Sequence, residues 1–184
     1  MASQRPTRIA VDAMGGDYAP SEVVEGAVAA ARDGSVQIIL VGDTEPVQLE
    51  LTRHDAKHLP IEVVQSEGVI AEGEPPALAL RQKPRASIIV ATSLVKAGRA
   101  DACVSMGSTG ATMAAGAVIL GVIEGVDRPA LGGPIIGLAP RTVFIDVGTN
   151  VDCRPSQLLS FAVIGDVFVR QLWGVENPRV GLLS

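Results

Sequence analysis

The chain has 184 residues and a formal net charge of −5; 47% of its residues are hydrophobic and only 19% are charged. This length fits one domain, and so much hydrophobic residue excludes a disordered chain. The negative charge argues against nucleic acid as a partner, because phosphate backbones are bound by clustered lysine and arginine. Cys103 and Cys153 lie in apolar surroundings without a CxxC motif, which indicates buried thiols in a reducing cytosol.

The first part of the chain alternates apolar strands with helices. The predicted strands are residues 8–12, 36–42, 61–65 and 101–105. The predicted helices are residues 21–34, 46–58 and 86–97, and residues 66–76 are predicted to form a loop. Strands that are apolar throughout indicate a parallel sheet that is covered on both faces.

The second part is predicted to continue with a helix at 109–123, two antiparallel strands at 132–139 and 141–148 joined at Ala139-Pro140, a long apolar helix at 155–174 and a last strand at 179–184. Together the pattern predicts a single α/β domain over residues 1–184, with three α/β/α layers and a mostly parallel sheet. In such sheets, ligands bind beyond the carboxyl ends of the strands.

One stretch is long enough to suggest a membrane span, because residues 102–123 carry no charged side chain. Its helical part is only ~22 Å long at ~1.5 Å per residue, shorter than the ~30 Å hydrocarbon core, so we expect a buried helix. The first residues, MASQRPTR, contain no apolar region, and no secretory signal is expected.

The segment SMGSTG, residues 105–110, joins a predicted strand to a predicted helix. Unpaired N–H groups at a helix N-terminus attract anions, and glycine lets a ligand approach the backbone. The hydroxyls of Ser105, Ser108 and Thr109 add donors beside Gly107 and Gly110, so the segment is a candidate phosphate site. It lacks the Walker A and GxGxxG patterns. The alternative is a turn that only packs the helix on the strand, with Thr109 as N-cap.

The segment DAMGGD, residues 12–17, follows the first strand. Gly15 and Gly16 permit a backbone with positive φ and are candidates, with Asp12 and Asp17, to bind phosphate or substrate. Asp12 and Asp17 are candidates to orient a substrate hydroxyl or a basic partner. Alternatively, Asp17 caps the helix that follows.

The segment DVGTNVDC, residues 146–153, repeats this pattern at another predicted strand end. Asn150 offers both a donor and an acceptor. Acyl transfer requires donors directed at a developing oxyanion, and Asn150 is a candidate for that role. A plain Asx turn is the alternative.

Arg81, Lys83 and Arg85 form a basic patch in an otherwise acidic chain. Such a patch steers an acidic partner or a phosphate, unless it is simply the solvated start of a helix. His54 and His58 have the spacing of a helical zinc pair, but the HExxH glutamate is missing, so no metal site is predicted. No GxSxG motif or cysteine–histidine pair indicates a covalent nucleophile.

Four segments together have the order and spacing of one known family. They are residues 9–20 (IAVDAMGGDYAP), 85–116 (RASIIVATSLVKAGRADACVSMGSTGATMAAG), 126–131 (VDRPAL) and 144–153 (FIDVGTNVDC). They resemble the bacterial phosphate acyltransferases of phospholipid synthesis, the PlsX family. The resemblance runs from Arg8 to Ser184.

This resemblance implies an enzyme that transfers a long acyl group from acyl carrier protein to inorganic phosphate. It implies a fold similar to isocitrate and isopropylmalate dehydrogenases and to phosphotransacetylase, without nicotinamide or another cofactor. Family members are cytosolic homodimers attached peripherally to the membrane. The basic patch becomes a candidate docking surface for the acidic carrier protein.

Some positions depart from the family pattern. The family usually has Asn where this chain has Ser108, Ala where it has Thr149, and Ser where it has Ala86. Family members are also about twice as long, so we expect this chain to be the N-terminal part of a longer catalytic domain. We expect residues 1–184 alone to be inactive. The alternatives are an acyl-CoA:phosphate transferase and a fragment that only binds phosphate or carrier protein.

Overall fold

The computed structural model describes residues 5–150 and 152–183, which fall into two compact units divided after Gly121. We call them the N-terminal unit, up to Gly121, and the C-terminal unit, from Val122. The prediction that the whole chain is one domain stays a prediction, because two compact units can belong to one domain or to two.

The N-terminal unit contains a parallel sheet and its covering helices. Its strands are β1 (Thr7–Asp12), β2 (Val36–Gly42), β3 (Ile61–Gln65) and β4 (Ala102–Ser105). Its helices are α1 (Ser21–Arg32), α2 (Thr44–Arg53), α3 (Pro76–Gln82), α4 (Ser87–Lys96) and α5 (Thr109–Ala115). The strand order is β3-β2-β1-β4 and every pair is parallel, as predicted.

The two central strands, β1 and β2, are apolar on both faces, and helices cover both faces. On one face, Val11 and Leu40 of the sheet pack with Val24 and Val28 of α1. On the other, the sheet contributes Ala10, Ile39 and Val41 to a cluster with Ala91 and Leu94 of α4. Helix α1 packs on the first of these faces because its buried apolar residues recur at helical spacing and so lie on one side of the helix; they are Val24, Ala27, Val28 and Ala31. The predicted α/β/α layering is confirmed.

Two helices differ from the prediction. Helix α3 was not predicted, because the predicted loop at 66–76 includes only its first residue and residues 77–82 were assigned to no element; in the structure, Ala79 is buried and Leu80 packs into a cluster with α5. This tertiary contact stabilises a helix that is too short to be recognised by periodicity. Helix α2 ends at Arg53, earlier than predicted, and Asp55 then adopts a left-handed conformation with a φ of 49°.

The uncharged helix after β4 is only partly buried. Ala111 and Ala115 of α5 are buried, but a π-helical segment, Gly116–Leu120, follows and exposes Val118. The expectation of a fully buried helix is therefore wrong for its second half. Within the residues described here, no helix is long and apolar enough to cross a membrane.

The C-terminal unit contains the short strands β5 (Gly132–Gly133) and β6 (Phe144–Ile145) and the helix α6 (Pro155–Trp173). The strands are antiparallel, as predicted, but each has two residues instead of eight. Pro134 contributes to this, since proline has no N–H for the ladder. A turn does form at Ala139-Pro140, where the N–H of Thr142 donates to the Ala139 carbonyl at 2.9 Å, but the strands stop short of it and residues 134–143 join them.

Helix α6 has the predicted extent. Pro155 occupies its first turn, the backbone N–H of Arg154 donates to Gln157 Oε1 at 2.8 Å, and Gly174 ends it with a φ of 64°. Residues 179–183 form no strand, contrary to the prediction. A strand needs a hydrogen-bonded neighbour, and none pairs with these residues in the described part of the chain.

Candidate functional site

The carboxyl ends of β1 and β4 lie side by side in the N-terminal unit, where Asp12 is in register with Ser105. The chain passes from β1 to β2 on one side and returns with β4 on the other. Such a reversal of strand order opens a crevice at the carboxyl edge, which is where doubly wound sheets bind ligands. The loops 12–17 and 105–110, singled out from sequence, therefore meet at the switch point of this sheet.

A hydrogen-bonded chain joins the two loops. The Ser105 hydroxyl donates to Asp12 Oδ2 at 2.7 Å, and Ser105 Oγ accepts the backbone N–H of Gly107 at 3.0 Å. The backbone N–H of Met14 donates to Asp12 Oδ1 at 3.2 Å. The side chain of Asp12 is buried, with the residue only 2% exposed. The loop at the end of β4 is thus tied to a buried carboxylate at the end of β1.

Two glycines let the loops touch backbone to backbone. A Cβ on Gly15 would lie 2.6 Å from Asp12 Oδ2 and 2.9 Å from the Gly107 nitrogen. A Cβ on Gly107 would lie 3.1 Å from the Gly15 Cα. Gly16 has a φ of 112° and lies against Met106. Larger side chains do not fit between the loops, so these glycines have a packing role in addition to any role with a ligand.

The start of α5 leaves backbone donors free. Ser108, not Thr109, is the N-cap, since its buried side chain accepts the N–H of Ala111 at 3.4 Å. Among the hydrogen bonds of residues 5–150 and 152–183, none uses the N–H of Ser108, Thr109 or Gly110. Thr109 is exposed. Three successive N–H groups at the start of this helix are therefore available to an anion.

Asp17 does not cap the following helix. It is exposed, and α1 begins after Pro20 without a side-chain cap. The alternative interpretation of Asp17 as a cap is therefore wrong, while its proposed contact with a ligand or a basic partner stays a prediction.

The loop after β6, in the C-terminal unit, is organised around Asp146. This residue has a φ of 66°, unusual for a non-glycine residue. Its Oδ1 accepts the backbone N–H of Asn150 at 3.2 Å and the Asn150 side-chain amide at 3.0 Å. The same amide donates to the carbonyl of Pro129 at 3.4 Å. Asn150 thus has the contacts of the Asx-turn alternative, with its amide donors already engaged.

Neither cysteine is a ready nucleophile. The Cys153 thiol donates to Asp146 Oδ2 at 3.6 Å; burial first, and then Asp146, raise its pKa. Burial raises the pKa of Cys103 to about 11. Both residues are free thiols of intermediate exposure, less buried than predicted. The thiolate is the reactive form, so both thiols are weak nucleophiles at neutral pH.

A groove of about 580 Å³ opens in the C-terminal unit. It is lined by Arg128 and Arg154, by Asp127 and Asp152, and by Cys153 and Gln157. Sequence analysis did not assign these arginines, although Arg128 lies in the VDRPAL segment. Two cations and two anions balance each other there, so the groove has no net charge to attract an anion.

The basic patch is partly neutralised by acidic neighbours. Lys83 Nζ lies 2.6 Å from Glu74 Oε1, and Arg85 lies 3.1 Å from Glu67. The Glu74 carboxylate has a lowered pKa, chiefly because of its hydrogen bond with Lys83. Arg81 is exposed, and no salt bridge within the described residues involves it. Of the three basic side chains in the patch, Arg81 is therefore the one best placed to meet another molecule.

No group of three or more metal-ligating side chains is found in the part of the chain that the structure describes. His54 lies at the end of α2 and His58 beyond it, so the two histidines do not share a helix face.

The comparisons with known proteins agree on one family. The model of the fatty acid synthesis protein family matches residues 7–184. A phosphate acyltransferase of Geobacter sulfurreducens is 49% identical over 177 residues, which are 96% of this chain and 51% of the relative. A phosphate acyltransferase of Moorella thermoacetica is 52% identical over 178 residues, 96% of this chain and 52% of the relative. The chain thus spans about half the length of the curated relatives it matches.

A solved structure supports the fold. The EutD phosphotransacetylase from Staphylococcus aureus superimposes with a TM-score of 0.56 and 23% identity, covering 86% of this chain and 51% of that one. At this identity the likeness concerns the fold alone, and the predicted likeness to dehydrogenases stays a prediction. With the family model and the curated relatives, the conclusion is that the chain belongs to the fatty acid synthesis protein family, the family of the phosphate acyltransferases.

Proposed function

We propose that the protein is an acyltransferase that moves an acyl group from acyl carrier protein to inorganic phosphate. The names of the relatives support the reaction class. The observation that carries the proposal is the meeting of the β1 and β4 loops at the switch point, where the N–H groups of Ser108, Thr109 and Gly110 have no acceptor within the described residues.

Phosphate is the nucleophile in this reaction. One of its oxygens attacks the carbonyl carbon of the thioester, and a tetrahedral oxyanion forms. The carbon–sulfur bond then breaks, giving an acyl phosphate, and the thiol sulfur takes the proton that the phosphate carried. No strong base is needed, so the protein's tasks are to hold phosphate in place and to stabilise the oxyanion.

We assign phosphate binding to the loop 105–110, with the loop 12–17 beside it. The free N–H groups at the start of α5 match an anion in charge and direction, and the exposed Thr109 hydroxyl adds a donor. Asn150 remains a candidate for the oxyanion, but its amide would first have to leave Asp146. Backbone N–H groups are the other candidates for this role. They would not have to give up an existing hydrogen bond, so we prefer them as oxyanion donors.

Gly107→Val tests the phosphate site. The added side chain would press on Gly15, so we expect the KM for phosphate to rise while the KM for the acyl donor stays unchanged. Gly26→Val is the matched control, since nothing lies within 4 Å of a Cβ there. Acyl phosphate formation by the complete gene product is the measurement. Saturation by phosphate at the control's concentration would reject the phosphate site.

The same assay separates the acyl donors. Turnover of the carrier-protein thioester supports the proposal, whereas a preference for a short acyl-CoA would favour the phosphotransacetylase-type alternative. Phosphate binding without turnover of either donor would leave a binding protein.

Arg81, Lys83 and Arg85 are the proposed docking surface for the acidic carrier protein. Because Lys83 and Arg85 already have acidic partners, Arg81→Glu should slow association more than Arg85→Glu, and the difference should shrink at high salt. Association rates measured by stopped flow test this order. Equal rates for both variants and the unmodified protein would remove the patch from the proposal.

Homodimerisation, a cytosolic location and peripheral attachment to a membrane belong to the same proposal and rest on the family resemblance. On α6, Leu159, Val163 and Val167 form an exposed apolar stripe at helical spacing. A second subunit is the cover that we propose for it.

A further inference from the structure

We infer that Ser105 and Asp12 are positioning residues of the phosphate loop, and that neither side chain is itself a ligand of the phosphate. This inference rests on the proposed function, because it assigns roles within the same site. It also removes Ser105 from the donors, and Asp12 from the substrate-binding candidates, that sequence analysis placed there.

The hydrogen bonds of Ser105 leave it no proton for a substrate. A hydroxyl has one O–H donor, and that donor is directed at Asp12 Oδ2 at 2.7 Å. The oxygen also accepts the N–H of Gly107 at 3.0 Å. Because its O–H already donates a hydrogen bond to a buried carboxylate, the Ser105 hydroxyl cannot donate to phosphate at the same time.

Asp12 is also unsuited to contact an anion. A carboxylate offers acceptors only, and its negative charge repels phosphate. Its described hydrogen bonds come from Ser105 and from the N–H of Met14, and the side chain is buried beneath the loops. Asp12 therefore acts through Ser105, by fixing which way the hydroxyl points.

The consequence is a fixed loop. The Gly107 N–H is turned inward to Ser105, and the Gly107 backbone lies against Gly15. The following three N–H groups, from Ser108 to Gly110, keep their places at the start of α5 without bonds to the protein. Donors that are held before the ligand arrives cost no ordering when it binds.

Ser105→Ala tests the inference in the complete gene product. The variant removes the acceptor of the Gly107 N–H without adding bulk. Hydrogen bonds that involve a charged group contribute enough for us to expect the KM for inorganic phosphate to rise about tenfold. The KM for the acyl thioester should not change. Ser105→Thr keeps the hydroxyl and should restore most of the phosphate affinity.

The control is Ser93→Ala, whose hydroxyl donates only to the Ile89 carbonyl within α4. A merely structural role of Ser105 would lower the folded fraction, and with it kcat, while leaving both KM values unchanged. That outcome, or an unchanged phosphate KM in Ser105→Ala, would overturn the inference. A wild-type protein that fails to use phosphate would instead reject the proposed function.

A double-mutant cycle gives an independent test of the order Asp12, Ser105, Gly107. Asp12→Asn should raise the phosphate KM in the wild type, because an amide has one acceptor oxygen where the carboxylate has two. It should add much less in the Ser105→Ala background, since the residue through which it acts is gone. Full additivity of the two effects would contradict the inference. Hydrogen exchange at the Gly107 amide should accelerate in both single variants.

Discussion

In two loops of this protein, each at the end of a strand, an aspartate organises the residues around it. The loops differ in how far along the chain the hydrogen-bond partners of that aspartate lie. Asp12 receives a hydroxyl from Ser105, on a strand far along the chain. Asp146 receives the N–H and the amide of Asn150, four residues on. The hydrogen bond of Asp12 therefore joins residues 93 apart in the chain, whereas those of Asp146 to Asn150 join residues four apart, although Asn150 also donates to the more distant Pro129 carbonyl. A site assembled from distant segments is the more sensitive to steric change.

Gly15→Val should have the largest effect, because it separates the two loops that the sheet brings together. The new Cβ would collide with Asp12 Oδ2 and with the Gly107 backbone. We expect the phosphate KM to rise by more than about 100-fold and the protein to lose about 1–3 kcal/mol of stability. Steady-state kinetics and urea unfolding measure both, with Gly26→Val as control. Near wild-type values would show that the loops are not closely packed.

Asp146→Ala disrupts the local loop and should have an intermediate effect. The variant removes both hydrogen bonds to Asn150 and the one from Cys153. The free energy of unfolding should fall by about 1–2 kcal/mol, while the phosphate KM stays unchanged if phosphate binds only at the β1 and β4 loops. A large rise in the phosphate KM would move the loop after β6 into the phosphate site.

The Cys153 thiol reports more finely on the same loop. Burial and Asp146 raise the pKa of Cys153, so Asp146→Asn should lower that pKa and speed alkylation by iodoacetamide several-fold at pH 8. Cys103 is the internal control, because it is held at a pKa of about 11 mainly by burial. Mass spectrometry of each cysteine peptide gives the two rates. Equal acceleration of both would indicate general unfolding.

The smallest effect is expected where β1 and β4 are tied at their other ends. There the guanidinium of Arg8 pairs with the side chain of Asp101, which also accepts the Arg8 backbone N–H at 2.9 Å. These two contacts, the first more than the second, lower the carboxyl pKa from 3.8 to about 2. The stabilisation from this shift is present above pH 4 and is lost as the pH falls towards 2.

Asp101→Asn should therefore lower the Tm slightly at pH 7, and the difference from wild type should shrink between pH 4 and pH 2. Thermal scans across that range measure it. A difference that grows on acidification would contradict the assigned pKa. The pair is partly exposed to solvent, so its effect should remain well below that of the buried tie at Asp12.

Much of the N-terminal unit was determined by the sequence itself. Strands β2 and β3 have the predicted bounds. The aliphatic run of β2 is buried, as expected of a central strand, whereas β3 is an edge strand and only partly buried. Helix α6 was equally readable from its length and from Pro155 and Gly174 at its ends. The two loops were found because glycine and hydroxyl residues interrupt an apolar pattern at strand ends.

Only the tertiary structure decided what these residues do. Helix α3 forms because Ala79 and Leu80 find a cluster that is distant in sequence, and residues 179–183 remain irregular in the described chain because no neighbouring strand pairs with them. The pattern around Ser105 suggested that its hydroxyl donates a hydrogen bond to phosphate. In the structure, that hydroxyl donates its hydrogen bond to Asp12. Hydrogen bonds between residues far apart in sequence depend on strand order and register, which local periodicity does not encode.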